Sequence, residues 1–202
     1  CLYSVRRFTK ERRWHNIEDF ILIKKIQAGD TEAFDILVRK YYSVIYQFCY
    51  RRLNGDTDTA ADITQDVFLK LLENIHTVRM LGKFQNYLLT IAANTCNNYF
   101  KKAKPTYTDL NALDIIDDTN DTLEKVIENE NKIEVRRALH SLPDYQKEVI
   151  ILRFYHNLKI REIAKITKSN IPTVKSRLRQ GLQKIERYLK DFKGGDNVWK
   201  KI

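Results

Sequence analysis

Residues 171–189 read IPTVKSRLRQGLQKIERYL, and their periodicity decides how the C-terminal part of the chain folds. At 100° per residue, one arc of a helix collects the apolar side chains Ile171, Val174, Leu178, Leu182, Ile185 and Leu189. The opposite arc collects the polar side chains Thr173, Ser176, Arg177, Gln180, Lys184 and Arg187, with Lys175 and Arg179 on its flanks. The stretch therefore predicts an amphipathic helix that packs on one face and offers the other to a partner.

A shorter helix is predicted immediately before this one, from Ile160, Ile163, Ala164 and Ile166. Residues 168–170, Lys-Ser-Asn, predict the turn between them, and Pro172 suits a helix start. Together these form a helix-turn-helix, whose second helix enters a DNA major groove. Residues 141–193 carry thirteen basic against five acidic side chains, so DNA binding is favoured over a merely solvated basic face.

The N-terminal part shows helical periodicity throughout. Asp30 is a predicted N-cap, and Gly29 ends the helix before it. The helix after Asp30 carries the apolar set Phe34, Leu37, Tyr41, Val44, Ile45 and Phe48. A second helix is predicted over residues 59–75, and Gly82 separates it from a third that aligns Phe84, Leu88, Ile91, Thr95 and Tyr99. We therefore expect an all-α fold, with a helical bundle over residues 17–104.

Charge separates the two parts of the chain. The 202 residues include 36 Lys and Arg against 26 Asp and Glu, a net charge of +10, which favours a polyanionic partner. Residues 105–140 are acidic, and residues 105–122 are predicted to be a linker. A helix-turn-helix domain is then expected over 123–193, while residues 1–16 form a basic extension and 194–202 a tail. Only 6 Gly and 3 Pro argue against an all-β sandwich.

Several classes of protein do not fit this sequence. Cys1, Cys49 and Cys96 are three widely spaced cysteines without a CxxC pair, so neither a disulfide framework nor a zinc ribbon is expected. The chain also lacks a Gly-rich phosphate loop, His residues at metal-binding spacing and an apolar run long enough to span a membrane. We expect a cytoplasmic protein that is not an enzyme, has no cofactor and does not insert into membranes.

Several motifs resemble bacterial sigma factors of the extracytoplasmic-function (ECF) group in the sigma-70 family. In the C-terminal part they are residues 141–154, SLPDYQKEVIILRF, followed by IREIA at 160–164 and IPTVKSRL at 171–178. In the N-terminal part they are IQAGDTEAF at 26–34, ADITQDVFLKL at 61–71 and FQNYLLTIAANTCNNYF at 84–100. The resemblance implies sigma domain two over residues 17–104 and sigma domain four over residues 123–193.

The resemblance also implies roles for individual residues. The helix that contains residues 61–75 would dock on core RNA polymerase through Asp62, Gln65, Asp66 and Phe68. The helix over 84–102 would read the promoter −10 element through Asn94, Asn97, Asn98, Tyr99 and Lys101. The loop 77–83 would form a pocket for a flipped base, although Val78 and Tyr87 replace the aromatic and Trp that are commoner there. The −35 element would be contacted by Arg153, Asn170, Lys175, Ser176, Arg179 and Gln180.

The predicted function follows from both halves. A sigma factor would recruit core RNA polymerase to promoter DNA and assist strand opening, with an anti-sigma factor as a further partner and no small-molecule substrate. The alternative is a helix-turn-helix regulator with an N-terminal sensing or dimerising bundle. That alternative explains residues 141–193 but gives the motifs at 62–71 and 94–99 no role.

Overall fold

The computed structural model describes residues 17–79, 83–102 and 133–193, with side chains to residue 191. The chain divides into two compact units, Cys1–Pro105 and Thr106–Ile202. Over the described ranges both units are helical and contain no strand, which confirms the all-α prediction. The predicted extension, linker and tail lie outside these ranges, so the exact domain limits stay predictions.

Within its described residues, the first unit contains four α-helices. Helix α1 covers 17–27, α2 Thr31–Arg52, α3 Thr57–Glu73 and α4 Phe84–Lys102, with a 3₁₀ turn at Ile75–Thr77. Asp30 caps α2 as predicted, because its side chain accepts a hydrogen bond from the Ala33 amide at 3.0 Å. Gly29 ends α1 with φ of 92°, a conformation that glycine adopts without strain.

The core of the first unit lies where α2, α3 and α4 pack on one another. It contains the predicted apolar stripe Ile63, Val67, Leu71 and Ile75, all buried. The helix ends at Glu73, two residues before the predicted end, so Ile75 lies in the 3₁₀ turn. Cys49 and Cys96 are buried free thiols in this core. The hydrogen bond from Cys96, ahead of the opposing effect of burial, lowers the pKa of Cys49. Both cysteines therefore fill space in the interior of the bundle.

Helix α1 is fastened to the bundle by a buried carboxylate. Asp19 is 1% exposed and accepts hydrogen bonds from the Tyr41 hydroxyl at 2.6 Å and the Lys40 ammonium at 2.9 Å. Burial and the hydrogen bond to Asp19 both raise the pKa of Tyr41, so its hydroxyl stays a neutral donor. Gln27, at the end of α1, donates to the Ile75 carbonyl at 2.8 Å and so holds the segment that leads into the loop 77–83.

The second unit contains α5 over 133–140, α6 Asp144–Ile150, α7 Ile160–Ile166 and α8 Ile171–Lys193. Helix α6 continues into a π-helical turn at Ile151–Tyr155. The helix-turn-helix is present as predicted: the turn at 168–170 contains Lys168 with φ of 50°, and α7 packs against α8. The core holds Val149, Leu152 and Ile163 with the apolar face of α8.

Some apolar residues that the periodicity assigns to the core are exposed. Phe20 on α1 is 47% exposed, and Phe154, in the π-helical turn, is 49% exposed. Ile171 and Leu182 are each 38% exposed, since both lie at the edge of the buried arc of α8. The buried part of that arc is narrower than predicted and consists of Val174, Leu178, Ile185 and Leu189. None of the helices in the described ranges is long and apolar enough to cross a membrane.

Candidate nucleic-acid and partner interfaces

Helix α3 presents a mixed polar and apolar face to solvent. Asp62, Gln65 and Asp66 are exposed and fall on one arc, which also carries Leu69 and Leu72, 57% and 43% exposed. Exposed leucines beside acids form a surface that can bury apolar area against a partner and pair with its cations. The structure thus brings three of the four predicted docking residues together.

Phe68 does not belong to this face. Its side chain is 5% exposed and stacks on Tyr42, with ring centroids 6.4 Å apart and planes at 9°. The predicted docking role of Phe68 is therefore corrected: the ring supports the contact between α2 and α3 from inside. Leu69, the next residue along the helix, is the exposed apolar side chain of this face.

A polar groove of about 230 Å³ lies between α3 and α4. It is lined by Lys70, Asn74, Tyr87, Ile91, Asn94, Thr95 and Asn98. Two predicted −10 residues, Asn94 and Asn98, thus share one cavity wall. The opposite wall contains Lys70 on α3 and Asn74 at its C-cap. Sequence reasoning missed both, because their proximity to α4 depends on the packing of the two helices.

Lys70 ties the two walls of this groove together. Its ammonium donates a hydrogen bond to the Thr95 hydroxyl at 3.1 Å, and that hydroxyl donates to the Ile91 carbonyl at 2.9 Å. Tyr87 is half-buried, and burial raises the pKa of its hydroxyl, so the group remains a neutral donor and acceptor. Its ring lies 6.1 Å from that of Phe84. The groove therefore combines a cation, amides and an aromatic wall.

The remaining −10 residues divide into two groups. Tyr99 and Lys101 are exposed, as Asn98 in the groove is. Asn97 instead accepts a hydrogen bond at 2.9 Å from Arg52, a guanidinium only 1% exposed that also lies 5.1 Å from the centre of the Phe100 ring. Asn97 is thereby engaged inside the bundle. The predicted base pocket at 77–83 is only partly described, since residues 80–82 lie outside the described ranges.

On α8 the predicted −35 residues occupy different settings. Lys175, Arg179 and Gln180 are exposed, and Ser176 is half-buried. Asn170 caps α8 by accepting from the Thr173 amide at 2.8 Å, so its side-chain oxygen is engaged at the helix start. Arg153 is exposed and donates to the Leu158 carbonyl at 2.9 Å, which braces the segment before α7.

Arg177 lies at the edge of the polar face of α8. It donates to the Ser169 hydroxyl at 3.0 Å and lies 5.5 Å from the Tyr145 ring centre, so it packs on α6. The outward face is thus centred on Ser176 and its neighbours, with Lys175 and Arg179 on one side and Gln180 on the other. Cations beside hydroxyl and amide groups supply both phosphate contacts and hydrogen bonds to bases. Across the described residues no cluster of three metal-binding side chains occurs.

Comparisons with known proteins match two separate stretches of the chain. A sigma-70 region 2 model matches residues 37–106, and a sigma-70 region 4 model matches residues 132–185. The chain is 31% identical over 181 residues to the ECF RNA polymerase sigma factor SigW of Bacillus subtilis (strain 168), covering 84% of this chain and 96% of the relative. It is 28% identical over 181 residues to the ECF sigma-E factor of Escherichia coli (strain K12), covering 84% and 93%.

Two solved structures are similar in fold. CnrH, solved in complex with the cytosolic domain of CnrY, superposes with a TM-score of 0.64 at 18% identity, covering 86% of this chain and 98% of CnrH. The sigma factor RpoE, solved with the anti-sigma factor NepR from Bartonella quintana, superposes with a TM-score of 0.63 at 20% identity, covering 78% and 96%.

Proposed function

The chain belongs to the ECF group of the sigma-70 family and directs promoter-specific transcription initiation, and on that premise we propose how its surfaces divide the task. The observation that carries the proposal lies on α3. Its exposed arc and the groove it shares with α4 occupy adjacent sides of a single helix. One rigid element therefore serves two partners at once.

The exposed face of α3 is the proposed docking surface for core RNA polymerase. Asp62 and Asp66 supply negative charge, Gln65 supplies an amide and Leu69 supplies apolar area at the centre. Interfaces of this kind gain affinity from a buried apolar contact surrounded by polar groups. Polymerase performs the chemistry, and this chain contributes positioning, so no catalytic residue is assigned to it.

The groove between α3 and α4 is the proposed site for the unpaired promoter strand at the −10 element. Asn94 and Asn98 offer amides to base edges, Tyr87 offers a ring edge, and Lys70 with Lys101 offers charge to phosphates. Unstacking a base costs a few kcal/mol, which such contacts must restore. Asn97 supports this wall from inside through Arg52.

Helix α8 is the proposed reader of the −35 element in the major groove. Lys175 and Arg179 contact phosphates on one side of the helix, while Ser176 and Gln180 face base edges. Arg153 and Asn170 brace the helix-turn-helix through the Leu158 carbonyl and the start of α8.

An anti-sigma protein is the proposed inhibitory partner, by analogy with the complex of RpoE and NepR. Such a protein would compete with polymerase for the α3 face, because either partner would bury the exposed side chains of Leu69 and Leu72. We propose that this exchange takes place in the cytoplasm, where the polymerase and the promoters of an ECF sigma factor are found.

Run-off transcription with core polymerase on a pool of genomic fragments tests the function directly. The wild-type chain is expected to give transcripts with defined start sites, and the absence of any would overturn the proposal. The double variant Gln65→Ala plus Asp66→Ala is expected to weaken binding to core polymerase by at least about tenfold, or 1.4 kcal/mol. Binding to a −35 duplex should remain unchanged.

The matched control is Ser43→Ala plus Gln47→Ala, two exposed positions on α2 outside the proposed surfaces. This pair is expected to leave both activities intact. A plain helix-turn-helix regulator would bind its duplex without a stable complex with polymerase, so the two assays separate the sigma factor from that alternative.

A further inference from the structure

Three side chains in the second unit form a continuous chain of hydrogen bonds from the interior to the DNA-facing surface. Gln146 on α6 is 1% exposed, and its Nε2 donates to Gln180 Oε1 at 3.1 Å. Gln180 Nε2 in turn donates to Ser176 Oγ at 3.1 Å. Both ends of the exposed Gln180 amide are therefore held by protein groups before any ligand arrives.

Gln146 can reach α8 because the two helices approach closely at Gly181. A Cβ at that position would lie 2.6 Å from Ile150 Cδ1 and 3.5 Å from Gln146 Cβ. The absence of a side chain at Gly181 lets α6 lie directly against α8, one residue after Gln180. The inner end of the chain is thus fixed by close packing and not by a mobile surface residue.

The buried amide carries a cost that apolar packing would avoid. Gln146 Oε1 is buried and has no hydrogen-bond partner among the described residues. A buried acceptor without a partner costs about 1–3 kcal/mol, whereas an apolar side chain of equal size would not incur this penalty. Despite this cost, Gln146 is a polar residue whose Nε2 donates a hydrogen bond to Gln180. A buried polar side chain that leaves one atom unpaired requires a functional explanation.

The bound Gln180 amide retains the groups that adenine recognition needs. Its Oε1 has a second lone pair and its Nε2 has a second hydrogen. Glutamine reads adenine with this pair, since the oxygen accepts from N6 and the nitrogen donates to N7. Gln146 Nε2 donates to the Gln180 oxygen, and Gln180 Nε2 donates to Ser176, so the structure holds the Gln180 amide with its oxygen towards α6. An amide that is already held in one orientation loses less entropy when it binds.

We propose that Gln146 is a positioning residue that orients Gln180 to read an adenine in the −35 element. The inference rests on the proposed placement of α8 in the major groove and adds a specificity determinant that itself touches no DNA. Base preference at one promoter position is then set jointly by α6 and α8.

The test uses the holoenzyme, formed from the full chain and core polymerase, and a promoter library with a randomised −35 element. Gln180→Ala first identifies the position at which preference for adenine collapses. Wild-type holoenzyme is expected to favour adenine there by at least about fivefold, the lower end of discrimination by a bidentate pair. Gln146→Met, which has similar volume and no donor, is expected to lose most of that preference at the same position and at no other.

Two further variants keep the outcome interpretable. Gln146→Leu, which also lacks the donor, should lose the adenine preference in the same way as Gln146→Met. Ile151→Val, a buried substitution in the same unit, is the control for a general loss of stability and should preserve the adenine preference. Thermal unfolding of each chain confirms that the variants are folded.

Each result separates the inference from the function on which it rests. If Gln146→Met retains full adenine preference while Gln180→Ala loses it, the positioning role is wrong. If Gln180→Ala alters no position, the same conclusion follows. If the wild type gives no promoter-specific transcripts, the failure lies with the proposed function. Coupling is shown when Gln146→Met causes no further loss in the Gln180→Ala background.

Discussion

Single residues on α4 show how adjacent, chemically identical side chains can have different tasks. The sequence contains Asn97 and Asn98 side by side, and spacing alone gives both the same expected role. In the folded chain Asn97 accepts from the buried Arg52, whereas Asn98 lines the groove. The difference arises because successive helical positions are 100° apart, so one faces α2 and the other faces α3.

We expect Asn97→Ala to lower the free energy of unfolding by about 1–2 kcal/mol, because it removes a hydrogen bond to a buried charged group. Asn98→Ala should change stability by less than about 0.5 kcal/mol and weaken binding to a −10 single strand in the holoenzyme. Chemical denaturation and strand-binding assays on both variants test this. The assignment fails if Asn97→Ala is as stable as the wild type while losing strand binding, or if Asn98→Ala is the unstable one.

At the scale of elements, periodicity was a reliable guide to the existence of helices and a weaker one to their outer faces. The apolar stripes of α2, α3 and α8 were predictable because burial repeats every 3.6 residues. The π-helical turn at Ile151–Tyr155 was not, because an apolar stripe predicts which residues are buried and does not separate a π-helical turn from an α-helical one. One wall of the groove was predictable, because Asn94 and Asn98 lie on a single helix. The other wall was not, because Lys70 and Asn74 reach it only through tertiary packing.

The contact between α6 and α8 gives an element-scale prediction at Gly181. Gly181→Ala gains about 1 kcal/mol of helix propensity but forces Ile150 Cδ1 to move, so we expect a net change within about 1 kcal/mol. Gly181→Leu cannot be accommodated by one methyl shift and should destabilise the second unit by about 2 kcal/mol or more. Thermal unfolding of the full chain measures both. Equal stability of the Leu variant and the wild type would contradict the close approach of the helices.

Across the whole molecule, charge is distributed for a polyanionic partner. Residues 141–193 hold thirteen of the 36 basic side chains and only five of the 26 acidic ones, while residues 105–140 hold nine acidic ones. Composition alone reveals this asymmetry, because charge can be counted without a fold. It could not identify which cations face DNA, since Arg177 packs on Tyr145 while Lys175 and Arg179 are exposed.

Salt dependence tests that assignment. Each phosphate contact contributes about 0.9 to the slope of log K against log salt concentration, so Lys175→Ala and Arg179→Ala should each reduce the slope by about that amount. Both variants should weaken binding to a −35 duplex across all sequences tested. Lys190→Ala is the matched control, because this exposed lysine pairs with Glu186 at 2.7 Å and lies near the end of α8. An unchanged slope in both test variants would assign them to base edges or to solvent.

The double use of α3 has a consequence for anyone who wishes to reprogram this protein. Lys70 belongs to the helix that carries Asp62, Gln65 and Leu69, and Asn74 caps its end, so any substitution that moves this helix affects the groove and the docking face together. Synthetic circuits that need orthogonal promoters should therefore leave this helix untouched. Substitutions are better introduced at Asn94 and Asn98 on α4. There they alter the lining of the groove and leave the side chains that contact RNA polymerase unchanged.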